Sequence, residues 1–154
     1  MIGLIQRVTE AAVHVEGQLI GAIGRGILVL VGVRPADEET SADRLLERLL
    51  GYRVFPDEHG RMNRSVRDIA GGLLLVPQFT LAADTRKGTR AGFSTAAPPE
   101  QAQRLFAYLV DAARAAHAPV GTGVFGADMR ISLINDGPVT FWLESAAPPS
   151  GPAP

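Results

Sequence analysis

The segment from Gly26 to Val33 sets the first constraint on the fold. It carries the unbroken apolar run Ile27-Leu28-Val29-Leu30-Val31. A strand with one wet face alternates apolar and polar residues, and this run does not. Its length and β-branched content favour a central strand buried on both faces. The rest of the chain must then cover that strand from two sides.

Ile2 to Val8 and Ala12 to Glu16 read as further strands, because Val13 and Val15 alternate with His14 and Glu16. Glu16-Gly17-Gln18 is a turn signal that predicts a hairpin into Leu19 to Ile23. Pro35 to Thr40 is a polar loop. Thr40 or Ser41 is expected to cap a helix, with Asp43 in capping-box position from Thr40. Leu45, Leu46, Leu49 and Leu50 form its apolar stripe, and Gly51 is its expected stop.

Tyr52 to Phe55 predicts a short strand, Pro56 to Asn63 a turn, and Gly72 to Val76 a strand running into Pro77-Gln78-Phe79-Thr80-Leu81. Residues 82–97 form a long loop holding Arg86, Lys87 and Arg90. A loop of that length in a compact domain is more often functional than decorative. Pro98 and Pro99 open a second helix, with Leu105, Phe106, Leu109, Val110 and Ala113 on its core face. Two closing strands, Met129 to Ile134 and Val139 to Leu143, flank Asn135-Asp136-Gly137-Pro138.

The resulting expectation is a single α/β domain over residues 1–144, a mixed, largely antiparallel sheet with helices packed on it. The pattern leaves strand order open. Residues 145–154 are Ala, Pro, Ser and Gly and are expected to form a disordered tail. A chain of 154 residues suits one core of useful size. No apolar run approaches the roughly 18 residues a membrane helix needs. Met1 to Glu10, with Arg7 and Glu10 inside an alternating pattern, reads as a strand and not as a signal peptide. With no cysteine, disulfides, thiolate nucleophiles and cysteine metal sites are excluded, and a cytoplasmic protein is expected.

Standard catalytic patterns are missing. His14, His59 and His117 share no metal-ligand spacing and read as surface or structural residues. Neither a serine elbow nor a phosphate loop of the ATPase type occurs, and no metal or cofactor is expected. Gly121-Thr122-Gly123-Val124-Phe125-Gly126 matches GxGxxG. Its context is inverted, with a helix before it and a strand pattern after it, so it reads as a glycine-rich connection with a substrate-lining role left open. Asp37, Glu38 and Glu39, and Asp57 with Glu58, read as solvated loop acids. Any catalysis must therefore lean on backbone dipoles, hydroxyls or the substrate itself. A net charge of −1 further limits any nucleic-acid contact to a small, local one.

Two segments point further. One is Pro77-Gln78-Phe79-Thr80-Leu81, followed by Ala82-Ala83-Asp84-Thr85. The other is Asn135-Asp136-Gly137-Pro138-Val139-Thr140-Phe141-Trp142-Leu143. Together with Ile5-Gln6-Arg7-Val8 and Gly126-Ala127-Asp128-Met129, they resemble the D-aminoacyl-tRNA deacylase family from Met1 to about Glu144. The resemblance implies an editing hydrolase that cleaves the ester of D-aminoacyl-tRNA and also of glycyl-tRNA mischarged on tRNA(Ala). It implies a homodimer with two interfacial sites. Gln78, Phe79 and Thr80 would line the pocket for the terminal adenosine and ester, with Phe125 and Met129 also binding substrate. Gly137 and Pro138 would form a cis peptide reaching into the partner's pocket. There, two carbonyls would hold the ammonium group and exclude an L side chain. Arg7 matches a family arginine near that loop, with a supporting role.

Such a wall of main-chain carbonyls tests the geometry at Cα without reading any side chain. Two mechanisms remain open. Thr80 could act as nucleophile or proton shuttle, although no histidine is evidently placed to activate it. Alternatively the 2′-hydroxyl of the terminal adenosine assists water, with N–H groups near Phe79 and Thr80 holding the oxyanion.

The family commonly carries serine where this chain has Pro77. A branch with looser chirality has proline there, alanine at the position of Phe79 and a trans Gly-Pro. Because Phe79 is kept, the resemblance favours the strict D-specific group. The alternatives are that looser branch and a noncatalytic module that binds the tRNA end. Arg86, Lys87 and Arg90 are candidates to meet the acceptor end.

Overall fold

The computed structural model describes residues 1–145. The chain runs β1 (Ile2–Val15), β2 (Gln18–Ile23), β3 (Gly26–Gly32), α1 (Glu39–Gly51), β4 (Phe55–Pro56), β5 (Met62–Arg64) and β6 (Gly72–Pro77). Then come α2 (Pro99–Ala116), β7 (Val120–Thr122) and β8 (Arg130–Glu144). Six strands form one sheet in the order β2-β1-β3-β6-β7, with β8 paired to β1, while β4 and β5 make a separate small hairpin. The β1 pairings to β2, β3 and β8 are antiparallel, and β3–β6 and β6–β7 are parallel. The expected mixed, largely antiparallel sheet is therefore observed, backed by two helices.

The apolar run of β3 has a simple cause. Ile27, Val29 and Val31 point into a core shared with α1 and α2, alongside Leu73 and Leu75 of β6. Leu28 points the other way, into a second core with Leu74, Val76, Val8 and Val13. Every position of the run is therefore either sealed or nearly so. The second core exists because the sheet curls: a Cβ on Gly21 of β2 would lie only 2.7 Å from Thr122 O of β7, so the two strands come nearly into backbone contact. Burying Leu45, Leu49 and their neighbours on α1 contributes roughly 1.5–3 kcal/mol per side chain.

Five expectations need correction. The segments 2–8 and 12–16 are one strand, β1, because β8 pairs along nearly its whole length. The two closing strands are likewise one, β8, so Asn135 to Pro138 does not reverse the chain. Helix α1 starts earlier than expected: Glu38 is its cap and donates its N–H to Ser41 Oγ at 3.1 Å. Asp37 is not a solvated loop acid. It is buried, accepting from the Met1 ammonium at 2.6 Å and from Arg34 N–H at 2.7 Å. The same ammonium reaches Ser145 O at 3.0 Å, so Ser145 belongs to the folded body and not to a tail. The remainder of the expected tail, 146–154, lies outside the described residues.

Candidate active site

Since β3, β6 and β7 are parallel, their C-terminal ends open on one edge of the sheet. Ligands of such sheets sit beyond the carboxyl ends of the strands. A cleft of about 450 Å3 opens there. Pro77, Gln78 and Phe79 line it as the chain leaves β6, and Phe125, Gly126 and Ala127 as it leaves β7. Met129, Ile131, Pro99 and Ala102 complete the wall.

Among the described residues no ionisable side chain lines this cleft. Its one polar side chain is Gln78, whose amide Nε2 donates to Thr80 Oγ1. After Pro77 the backbone makes one more sheet-like bond, Gln78 N–H to Val31 O at 2.8 Å, then turns into a 3-10 helix over Phe79–Ala82. The first N–H groups of such a turn have no internal partner. Those of Phe79 and Thr80 are unpartnered among the described residues, so they are available to a developing negative charge.

The second element is a bulge inside β8. Val8 pairs with Asn135, but Gln6 pairs with Thr140, so one residue of β1, Arg7, faces four of β8. The extra residues loop outward, and Gly137 and Pro138 are exposed. Their peptide bond is cis. Gly137 has φ of 152°, and a Cβ there would lie 2.7 Å from Val139 N and 3.4 Å from the Arg7 guanidinium. Arg7 grips the bulge from beneath: its Nε donates to Asp136 O and its Nη1 to Val54 O, each at 2.7 Å. Asn135 spans the bulge from above. Its Oδ1 accepts from Val139 N–H at 2.8 Å, while its Nδ2 reaches Thr140 Oγ1 at 3.0 Å and Gln6 Oε1 at 3.2 Å.

The structure thus gathers Gln78, Phe79, Phe125 and Met129 in one cleft, with Thr80 hydrogen-bonded to Gln78 beside it. Arg7, Gly137 and Pro138 form a separate group and do not line the cleft of their own chain. Sequence reasoning missed the clamping side chain of Asn135, whose only signal was a turn-forming residue beside Asp-Gly-Pro. It also missed Phe93, whose ring lies 5.2 Å from that of Phe79. A lone aromatic in an otherwise polar loop was the available sign.

Among the described residues no histidine lines the cleft, and His117 Nε2 lies 2.7 Å from Gly71 O. The glycine-rich segment runs out of β7 into the cleft wall through Phe125 and Gly126, with no helix after it. In the long loop, Arg86 forks onto the Asp84 carboxylate with Nε and Nη2, at 2.9 and 2.8 Å. These bonds, with the Arg86 N–H, hold the Asp84 carboxyl down at about 2.

The fold recurs among solved proteins. It is shared with a solved structure described as a probable eukaryotic D-amino acid tRNA deacylase, at TM-score 0.76 and 16% identity, covering 93% of this chain and 98% of that one. The chain belongs to the D-Tyr-tRNA(Tyr) deacylase family, whose sequence pattern matches residues 4–144. It is 67% identical over 145 residues to a D-aminoacyl-tRNA deacylase of Alkalilimnicola ehrlichii, covering 94% of this chain and 97% of the relative. It is 64% identical over 148 residues to one of Thioalkalivibrio sulfidiphilus, covering 96% and 99%. A solved structure described as a c-Myc DNA unwinding element binding protein matches at TM-score 0.90 and 41% identity, covering 96% of this chain and 100% of that one.

Proposed function

We propose that this protein hydrolyses the ester bond of D-aminoacyl-tRNA, releasing free tRNA and the D-amino acid. The observation that carries the reading is the cleft beside Gln78, Phe79 and Thr80: large enough for a nucleoside with its acyl group, apolar, and free of ionisable side chains. Such a site cannot run conventional acid–base catalysis. It suits a substrate that brings its own hydroxyl, the 2′-OH of the terminal adenosine, while the Phe79 and Thr80 N–H groups hold the oxyanion. Among the described residues the Thr80 hydroxyl has one hydrogen-bond partner, the Gln78 amide NH2, which donates to it and cannot take its proton.

Selection falls to the bulge. In a homodimer, Gly137 and Pro138 of one copy would enter the other copy's cleft, their carbonyls binding the substrate ammonium and excluding an L side chain. Two features support this. The pair is exposed and does not line its own cleft. The outer face of the same strand, β8, carries exposed Ile134 and Trp142. Glycine has no side chain to exclude, so glycyl-tRNA mischarged on tRNA(Ala) is a second substrate. Aminoacyl-tRNA is met in the cytoplasm, which is the proposed location. Among the described residues no helix is long and apolar enough to cross a membrane.

The test is deacylation of D-tyrosyl-tRNA, L-tyrosyl-tRNA and glycyl-tRNA. The first and third should be cleaved. Cleavage of the L form at a comparable rate would remove the D-specific reading, and cleavage of none would remove the enzyme. Thr80→Ala should keep near-normal turnover on D-tyrosyl-tRNA. A loss of about 10³-fold would instead make Thr80 the nucleophile or proton shuttle.

A further inference from the structure

Phe93 and the cations beside it lie outside the cleft, yet the structure joins them to it. Phe93 is 48% exposed and packs, tilted by 44°, against Phe79, which is itself 57% exposed at the cleft. Its neighbours Gly92 and Ser94 line a shallow depression together with Asp84, Arg86, Lys87 and Arg90. The aromatic pair therefore links the cleft, which Phe79 lines, to the chain segment whose flanking residues line the basic depression. Two large apolar rings left in water on such a surface mark a binding face.

The three cations are not equivalent. Both arms of Arg86 are spent on Asp84, the one acid of the depression, so that pair is locally neutral. Among the described residues neither Lys87 nor Arg90 forms an ion pair. The depression thus presents two uncompensated positive charges beside an exposed aromatic face. Cations that follow a backbone, next to an aromatic face on which a base can stack, are how single-stranded nucleic acid is held without sequence readout. A duplex offers no unstacked base to such a face.

We propose that Phe93, Lys87 and Arg90 form a subsite for the nucleotides on the 5′ side of the terminal adenosine, with an unstacked base on Phe93 and backbone phosphates at Lys87 and Arg90. This rests on the tRNA-ester reading above and extends it from the terminal nucleoside to the single-stranded end. Arg86 is a positioning residue that fixes the loop through Asp84. The subsite also explains how a chain of net charge −1 holds a polyanion: two local contacts suffice.

The experiment compares kcat/KM on D-tyrosyl-tRNA with kcat/KM on the D-tyrosyl ester of adenosine, which ends at the terminal nucleoside. Phe93→Leu, Lys87→Gln and Arg90→Gln should each lower the ratio of the first to the second by about five- to tenfold, through KM on the tRNA. The double variant Lys87→Gln/Arg90→Gln should also flatten the log–log salt dependence on tRNA by about 1.4, at about 0.7 per single-strand phosphate contact. Equal losses on both substrates, or an unchanged salt slope in the double variant, overturn the subsite. Failure of the underlying reading looks different: the unmodified protein then releases amino acid from neither substrate, and the subsite falls with it.

Discussion

The bulge in β8 and the loop over residues 82–97 both reach the surface, but they are held in opposite ways. The bulge is pinned at every step, by Arg7 on Asp136 O, by Asn135 on Val139 N–H, and by the β1 pairing at either end. The loop is pinned at its base, where Asp84 and Gly92 exchange two backbone bonds and Thr95 Oγ1 donates to Ala82 O. Its tip, with Lys87 and Arg90, carries no comparable ties. In the proposed reaction the bulge is a template that must hold still, whereas the loop receives an RNA end. One molecule thus ties one segment densely and the other at its base.

Breaking the template should have the largest effect. Gly137→Ala places a Cβ 2.7 Å from Val139 N, which must displace the peptide. Deacylation of D-tyrosyl-tRNA should fall by about 10²-fold or more, the scale expected for a misplacement near 1 Å. Arg7→Lys keeps the charge but loses the fork that reaches Asp136 O and Val54 O together. It should lower activity by about tenfold and stability by about 2 kcal/mol, measured by urea unfolding. Loop variants, by contrast, should act through KM and leave stability almost unchanged.

Hydrogen exchange sharpens the contrast directly. The Val139 amide, bonded inside the bulge, should exchange at least tenfold more slowly than the amides of residues 87–91. If the two segments exchange alike, the division into rigid and compliant parts fails. The smallest effect concerns pH. The Arg86 bonds depress the Asp84 carboxyl to about 2. A depressed carboxylate contributes stability above its unfolded value, near 4, and loses it as pH falls through the folded value. The Asp84–Arg86 clasp should therefore persist through mildly acidic pH and open only towards pH 2, as followed by the Asp84 carboxyl carbon resonance.

Much of this was legible in the sequence where the signal was local. The run at Ile27 to Val31 declared a strand covered twice, and the leucine stripe of α1 and the proline start of α2 located both helices. What remained hidden depends on distant partners. Asn, Asp, Gly and Pro favour the same backbone shapes in a reversing turn and in a bulge. Only pairing to β1, more than a hundred residues away, decides that the chain continues straight. Asp37 reads as a loop acid until the Met1 ammonium is brought against it. Cleft residues at Gln78 to Thr80 were picked out by family resemblance, since no side chain among them announces chemistry. Phe93 gave no periodicity at all, and its meaning comes from lying against Phe79.

The bulge offers its surroundings peptide groups, and that has a consequence for how the protein ages over generations. A surface written in side chains can drift with each codon change, but one written in carbonyls has no codon of its own. It changes through Gly137, Pro138 and whatever braces them: Arg7 and Asn135 by hydrogen bonds, and β1 by pairing. Substitutions that spare those positions should leave the proposed filter its shape. By the same logic, a laboratory search for altered selectivity will find few small steps available, and its first productive changes should fall on the braces.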